Sequence, residues 1–320
     1  MNRPNRKSAA LFRLGPALLA LACLCGPAPA APADEVALQV REIAPGIFVH
    51  PGRQEDSSAA NLGDIANLGF VVGGRCVAVI DTGGSLAVGR RLREAVRRAT
   101  PLPVCYVINT HVHPDHIFGN AAFAADAPVY VGHQRLPAAM AARGRSYRHA
   151  LERDMGEPAA GSEIVPPTLT VRDTLDLDLG DRVLQLRAWP TAHTDNDLTV
   201  FDPRTGTLWL SDLLFVRRIP VVDGSLKGWL AAIGEMQRLQ PQRVIAGHGE
   251  AGAAWREALA EQARYLNLLL AEVRQAIREK KTLQQAVDTV GLAERERWLL
   301  FDGFHRRNVT AAYAELEWED

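Results

Sequence analysis

Thr110-His111-Val112-His113-Pro114-Asp115-His116 follows directly on the apolar run 104–109, and the reading of this stretch decides the reading of the chain. Three imidazoles and a carboxylate crowd the end of a strand-like segment. Imidazole nitrogen and carboxylate oxygen are ligands that suit zinc, and an irregular turn at a strand end can direct such side chains towards two adjacent centres. Buried without a cation, the same cluster would lose its hydration without compensation. A chance polar turn is a poor account of that density, so the stretch is read as metal-binding.

Four more residues stand where further ligands or supports are wanted, each closing a strand-like run. Asp81 ends Val77-Ala78-Val79-Ile80, and His193 follows residues 184–190. Asp212 follows Leu208-Trp209-Leu210, and His248 follows Val244-Ile245-Ala246 between Gly247 and Gly249. Alone, each reads as an exposed turn residue. Beside the histidine run they read as one site, because α/β folds assemble sites from the same ends of several strands.

Working outward, β-branched runs predict strands at 40–49, 69–72, 76–80 and 104–109, punctuated by Pro45-Gly46 and Gly73-Gly74, with a helix over 87–99. Strand, helix, strand in that order implies parallel pairing through a crossover. Further strands are predicted at 129–131, 168–171, 183–189, 198–201, 207–211 and 243–246. Helices are predicted at 226–239 behind a Ser225 cap, at 255–280 and at 309–317. Leu259, Leu266, Leu270, Val273 and Ile277 share one face of the long helix. Strands in both halves, each followed by helices, predict an α/β sandwich: two sheets face to face with helices outside. No linker or repeat divides residues 34–320, which are read as a single domain.

The first thirty-odd residues differ in kind. A basic start (Arg3, Arg6, Lys7, Arg13), an apolar stretch over 14–24 and the exit Ala28-Pro29-Ala30 read as a secretory signal cleaved near 30 or 33. The apolar stretch is too short to span a bilayer, so the mature chain is expected in the periplasm or secreted, without a membrane span. Cleavage leaves 32 basic against 37 acidic residues, a balance that argues against a nucleic-acid partner. Cys76 and Cys105 remain, each in an apolar strand-like run. Neighbouring strands rarely present cysteines in bonding geometry, so buried free thiols are expected.

Asp81, the HxHxDH run, His193, Asp212 and His248 stand in the order of the five motifs of metallo-β-lactamase-fold hydrolases, and the chain resembles that family over nearly all of residues 34–320. The resemblance implies an αββα sandwich with two zinc ions at one edge. It assigns His111, His113 and His193 to one ion, Asp115, His116 and His248 to the other, and Asp212 to both. Asp81 would hold the metal loop through hydrogen bonds. Water activated by the two ions would attack an ester, thioester, lactone or amide carbonyl, with Asp115 orienting it or carrying a proton.

Asp212 stands where related β-lactamases carry Cys or Ser, and His113 where diiron members carry Glu. An antibiotic-hydrolysing role is thus not favoured, and zinc is. The stretches 61–70, 80–85 and 191–197 resemble the quinoprotein relay system zinc metallohydrolases, relatives of a sulfur-oxidation-associated hydrolase. That likeness implies service to a periplasmic quinoprotein dehydrogenase system. The rival is a persulfide dioxygenase, which shares the fold but holds one iron, here through His111, His193 and Asp212. A third reading is an accessory protein with little turnover. Residues 54–67, 134–163 (with Arg143, Arg145, Tyr147 and Arg148) and 217–227 are expected to rim a substrate site, while His50, His133, His149 and His305 are assigned structural roles.

Overall fold

The computed structural model describes Met1 and residues 36–250, 252 and 254–319. The expected signal segment lies outside the described residues. Contacts group Glu35–Asp320 as one compact unit.

Seven strands form the first sheet in sequence order: β1 (Arg41–Ala44), β2 (Ile47–His50), β3 (Leu68–Val72), β4 (Val77–Ile80), β5 (Val104–Ile108), β6 (Val129–His133) and β7 (Leu169–Val171). Pairing is antiparallel up to β4 and parallel from β4 to β7. The parallel steps need crossovers, supplied by α1 (Leu86–Ala99), by the short α2 (Pro114–Ile117) with the turn after it, and by α3 (Leu136–Met155). The second sheet runs β12-β11-β10-β9-β8, from β8 (Thr174–Asp178), β9 (Val183–Ala188), β10 (Leu198–Asp202), β11 (Thr207–Phe215) and β12 (Arg243–His248). Only β11 and β12 are parallel in it, joined through α4 (Leu226–Met236). The chain closes with α5 (Trp255–Arg278), α6 (Leu283–Val287) and α7 (Phe301–Leu316).

Strand alternation sorts the side chains into three apolar layers. Ala78 and Ile80 of β4 face inward with Ile108 and Val131, and meet Leu184, Leu186, Val200 and Trp209 of the second sheet. Val77 and Val79 face outward with Phe70 and Val107 onto Val88, Leu92 and Val96 of α1. On the far side Leu208, Leu210, Val244 and Ala246 pack on Trp229, Leu259, Leu266, Val273 and Val309 of α4, α5 and α7. Both faces of each sheet are covered, which explains why these strands read as unbroken apolar runs. The long helix α5 docks on its own chain through Leu259, Leu266, Leu269 and Val273. The described architecture is therefore the α/β sandwich that the sequence predicts.

Four local readings need correction. Cys76 and Cys105 form a disulfide, with Cα atoms 5.7 Å apart. Val77 faces Val104 while Ala78 faces Tyr106, so Cys105 is the extra residue of a bulge, and the ordinary register that argued against bonding does not hold there. Residues 134–163, where no helix was expected, hold the twenty-residue helix α3, whose weak amphipathic pattern hid it. The last helix begins at Phe301, two turns before the expected 309. Strand β11 continues through Asp212 to Phe215 instead of ending before it.

Candidate metal centre

All seven expected ligands converge at one edge of the sandwich, four from the first sheet and three from the second. The HxHxDH run leaves β5 and turns at once into α2, with His113 at the cap position and Pro114 opening the helix. That turn separates His111 and His113 from Asp115 and His116. His193 comes from the loop between β9 and β10, Asp212 from inside β11, and His248 is the last residue of β12. Ser211 has φ of 48° and the β11–β12 register shifts on either side of it, so a bulge re-aims Asp212 into the site. Gly247 is required beside it: a Cβ there would lie 1.8 Å from Asp212 Oδ1.

The donors fall into two groups, His111, His113, His193 and Asp212 in one and Asp115, His116 and His248 in the other, with ligand atoms inside each group within 4.8 Å of one another. Asp212 stands between them. Its Oδ2 is 3.6 Å from His111 Nε2, 3.4 Å from His193 Nε2 and 3.4 Å from His248 Nε2, while Oδ1 is 3.2 Å from His116 Nε2. Asp115 Oδ2 is 3.4 Å from His248 Nε2 and 3.7 Å from His116 Nε2.

Every imidazole has its outer nitrogen occupied. His116 Nδ1 donates to Asp81 Oδ2 at 2.8 Å, His193 Nδ1 to the Val221 carbonyl at 2.7 Å, and His248 Nδ1 to the Ile65 carbonyl at 2.8 Å. His113 reverses the ring, donating from Nε2 to Asp223 Oδ2 at 3.0 Å, and His111 Nδ1 meets the Thr110 hydroxyl at 3.1 Å. Those partners set the tautomers, so the five inner nitrogens present lone pairs to a common space. His111 Nε2 and His193 Nε2 lie 3.1 and 3.0 Å from His113 Nδ1, three acceptors converging without a proton between them.

Two further observations fit a cation. His116 Nε2 and Asp212 Oδ1 are buried and have no hydrogen-bond partner among the described residues, although they lie 3.2 Å apart. Burial works against the charged form of His116, yet Asp212, Asp81 and Asp115 hold its pKa well above that of an ordinary imidazole. Three carboxylates thus favour positive charge at that point. Burial pushes His193 down to about 3 and, with His116, holds His111 well below its usual value, so both stay neutral and able to ligate. Imidazole and carboxylate donors in this number suit zinc.

Supports surround the ligands. Asp81, buried at φ 56°, accepts from the Thr110 amide and hydroxyl at 2.8 Å each, besides His116. Thr110 Oγ1 also meets Ser211 Oγ at 2.8 Å, tying the two sheets together beneath the metal loop. Asn67 donates to the Ala246 and Gly249 carbonyls and so clamps the end of β12. The sequence reading gave no role to Thr110, Ser211, Asn67 or Asp223. Asn67 lay in a quoted stretch and Asp223 in an expected rim segment, but no spacing rule marks a support residue. His50, His133 and His305 bond elsewhere, to Asp64, the Arg135 amide and Tyr265, and with His149 stand apart from the cluster.

With this fold and this centre, the family model for the metallo-beta-lactamase superfamily matches residues 62–248, more than half of the chain, and the chain belongs to that superfamily. Among curated proteins it is similar to a linear primary-alkylsulfatase of Pseudomonas sp. (strain ATCC 19151), 25% identical over 208 residues, covering 54% of this chain and 39% of that protein. Among solved structures it superposes on the stereoselective inverting sec-alkylsulfatase Pisa1 of Pseudomonas sp. with a TM-score of 0.68 at 16% identity, over 88% of this chain and 51% of that one. A metallo-beta-lactamase from Pontibacter korlensis gives 0.59 at 18% identity, over 72% of this chain and 99% of that one. The chain thus spans about half the length of the alkylsulfatases or less. No helix among the described residues is long and apolar enough to cross a membrane.

Proposed function

We propose that the protein is an exported dizinc hydrolase, and the observation that carries the reading is the pair of donor groups sharing Asp212, with every outer imidazole nitrogen already bonded. His111, His113 and His193 would hold one ion, Asp115, His116 and His248 the other, with Asp212 between. Zinc in such a pair supplies Lewis acidity and a water whose pKa falls towards neutrality. The chain's own residues do the rest. Asp115 is kept ionised by His116 and His248 against its burial, and its partly exposed carboxylate is available to orient a water or accept its proton. Asp81 and Asp223 fix the rings of His116 and His113.

The substrate class follows from this chemistry as an ester, thioester, lactone or amide. The likeness of the stretches 61–70, 80–85 and 191–197 to quinoprotein relay metallohydrolases supports service to a periplasmic quinoprotein dehydrogenase system, and these stretches contain Asn67, Asp81 and His193. Export is supported by the signal-like residues 1–33 and by the Cys76–Cys105 disulfide, a bond that persists in oxidising compartments. A second reading, hydrolysis of an alkyl sulfate ester, is favoured by the curated relative.

Elemental analysis of the purified chain, with turnover of lactone, thioester, β-lactam and alkyl sulfate substrates, tests both. About two zinc ions per chain with hydrolysis supports the proposal. One iron per chain, with oxygen consumed on a persulfide, would overturn it in favour of a dioxygenase. An Asp115→Ala variant with full metal and full activity would remove Asp115 from the mechanism.

A further inference from the structure

Tyr147 carries a proton that no described residue claims. Its hydroxyl accepts from Arg143 Nη1 at 3.2 Å, and that same Nη1 donates to Asp223, which holds His113. A chain of contacts therefore runs from the metal centre through Asp223 and Arg143 to the Tyr147 oxygen. Among the described residues no acceptor takes the Tyr147 O–H.

The ring is fixed as firmly as the hydroxyl. Tyr147 packs against Val112 and Ile117 of the metal loop, with Leu136 and Met140 of its own helix, so helix and loop are one apolar unit there. Burial raises its pKa against the lowering effect of Arg143, so the hydroxyl stays a neutral donor. A half-buried phenol, oriented through its lone pair, joined to His113 through Arg143 and Asp223 and with its proton unspent among the described residues, is available to donate to a ligand bound beside His113.

We propose that the Tyr147 hydroxyl donates a hydrogen bond to an oxygen of the bound substrate, with Arg143 setting its direction. This rests on the hydrolase reading only for the identity of that substrate. The donor suits an oxygen gaining negative charge, where a fixed hydrogen bond strengthens as the reaction proceeds.

Zinc-loaded wild type and Tyr147→Phe, which keeps the ring and removes only the hydroxyl, separate the two claims. The probe is inorganic phosphate, a tetrahedral oxyanion, with its dissociation constant measured by calorimetry and zinc content measured in parallel. Zinc content unchanged and phosphate affinity lower by about 10-fold in the variant is the expected result. On whichever ester is turned over, kcat should fall by about 100-fold with KM little moved. Equal phosphate affinity in the two proteins, or no binding by the wild type, overturns the proposal. Weaker phosphate binding in the variant, with no hydrolysis of any substrate by the wild type, upholds the Tyr147 donor and sinks the hydrolase reading.

Discussion

Single residues at the centre differ in how far their neighbours fix them. His113 is the most exposed of the five imidazoles, its side chain 15% accessible against 2% or less for the others, and Asp223 takes the hydrogen bond from its outer nitrogen. Asp223 keeps its charge over the working range, because His113 and Arg143 outweigh the burial that opposes ionisation and hold it well below the ordinary carboxylate range. Asp223→Asn should therefore weaken zinc binding by about 10- to 100-fold, as loss of a ligand's outer partner typically does. Competition against a chromophoric chelator measures this, and an unchanged affinity would show that His113 holds its orientation unaided. The seven candidate donors that the fold brings together were legible from residue type and, Asp212 apart, from position at or after strand ends. Asp223 was not, because its role depends on a contact 110 positions away in sequence.

Among the elements, β4 and β5 bear most on the site, since Asp81 closes one and the metal loop leaves the other. The Cys76–Cys105 bond staples the opposite ends of these two strands, enclosing a segment that includes all of α1. A cross-link of this loop length contributes about 2–4 kcal/mol. Reduction by dithiothreitol, or a Cys76→Ala and Cys105→Ala pair, should lower the denaturant midpoint by a corresponding amount. Coincident melts of oxidised and reduced protein would show that the strands stay paired without the bond. Periodicity located α1 well, because it has one repeating apolar face, and unbroken apolar runs located β4 and β5. It failed at α3, whose apolar residues follow no clean helical period, and at the bulges that bring Cys105 to Cys76 and turn Asp212 inward. A bulge depends on which residue of the neighbouring strand lies opposite, and a single chain segment does not state that.

At the scale of the whole molecule, the candidate centre joins the two sheets. His111, His113, Asp115 and His116 extend from the first, His193, Asp212 and His248 from the second, and the Thr110–Ser211, Asn67, His248–Ile65, His113–Asp223 and Leu198–Thr110 contacts also cross at that edge. Cations there would bind the folded chain and not the unfolded one, so chelation should destabilise the fold globally. At free zinc a hundredfold above the dissociation constant each site adds about 2.7 kcal/mol. Calorimetric melts before and after EDTA, and after zinc is restored, should show a reversible fall in melting temperature. Identical melts would mean that no bound metal bridges the sheets in the purified protein.

By itself the sequence determined the sandwich, the two apolar faces of each sheet and the identity of seven donors, because residue type and short-range period are local properties. Only the tertiary structure decided the bonds Asp81 makes to Thr110 and His116, the Thr110–Ser211 contact, the Cys76–Cys105 bond and the line of contacts from His113 through Asp223 and Arg143 to Tyr147. Each of these is a distance between residues far apart in the chain, fixed by how two sheets and a helix pack, and packing is set by the whole set of buried contacts at once.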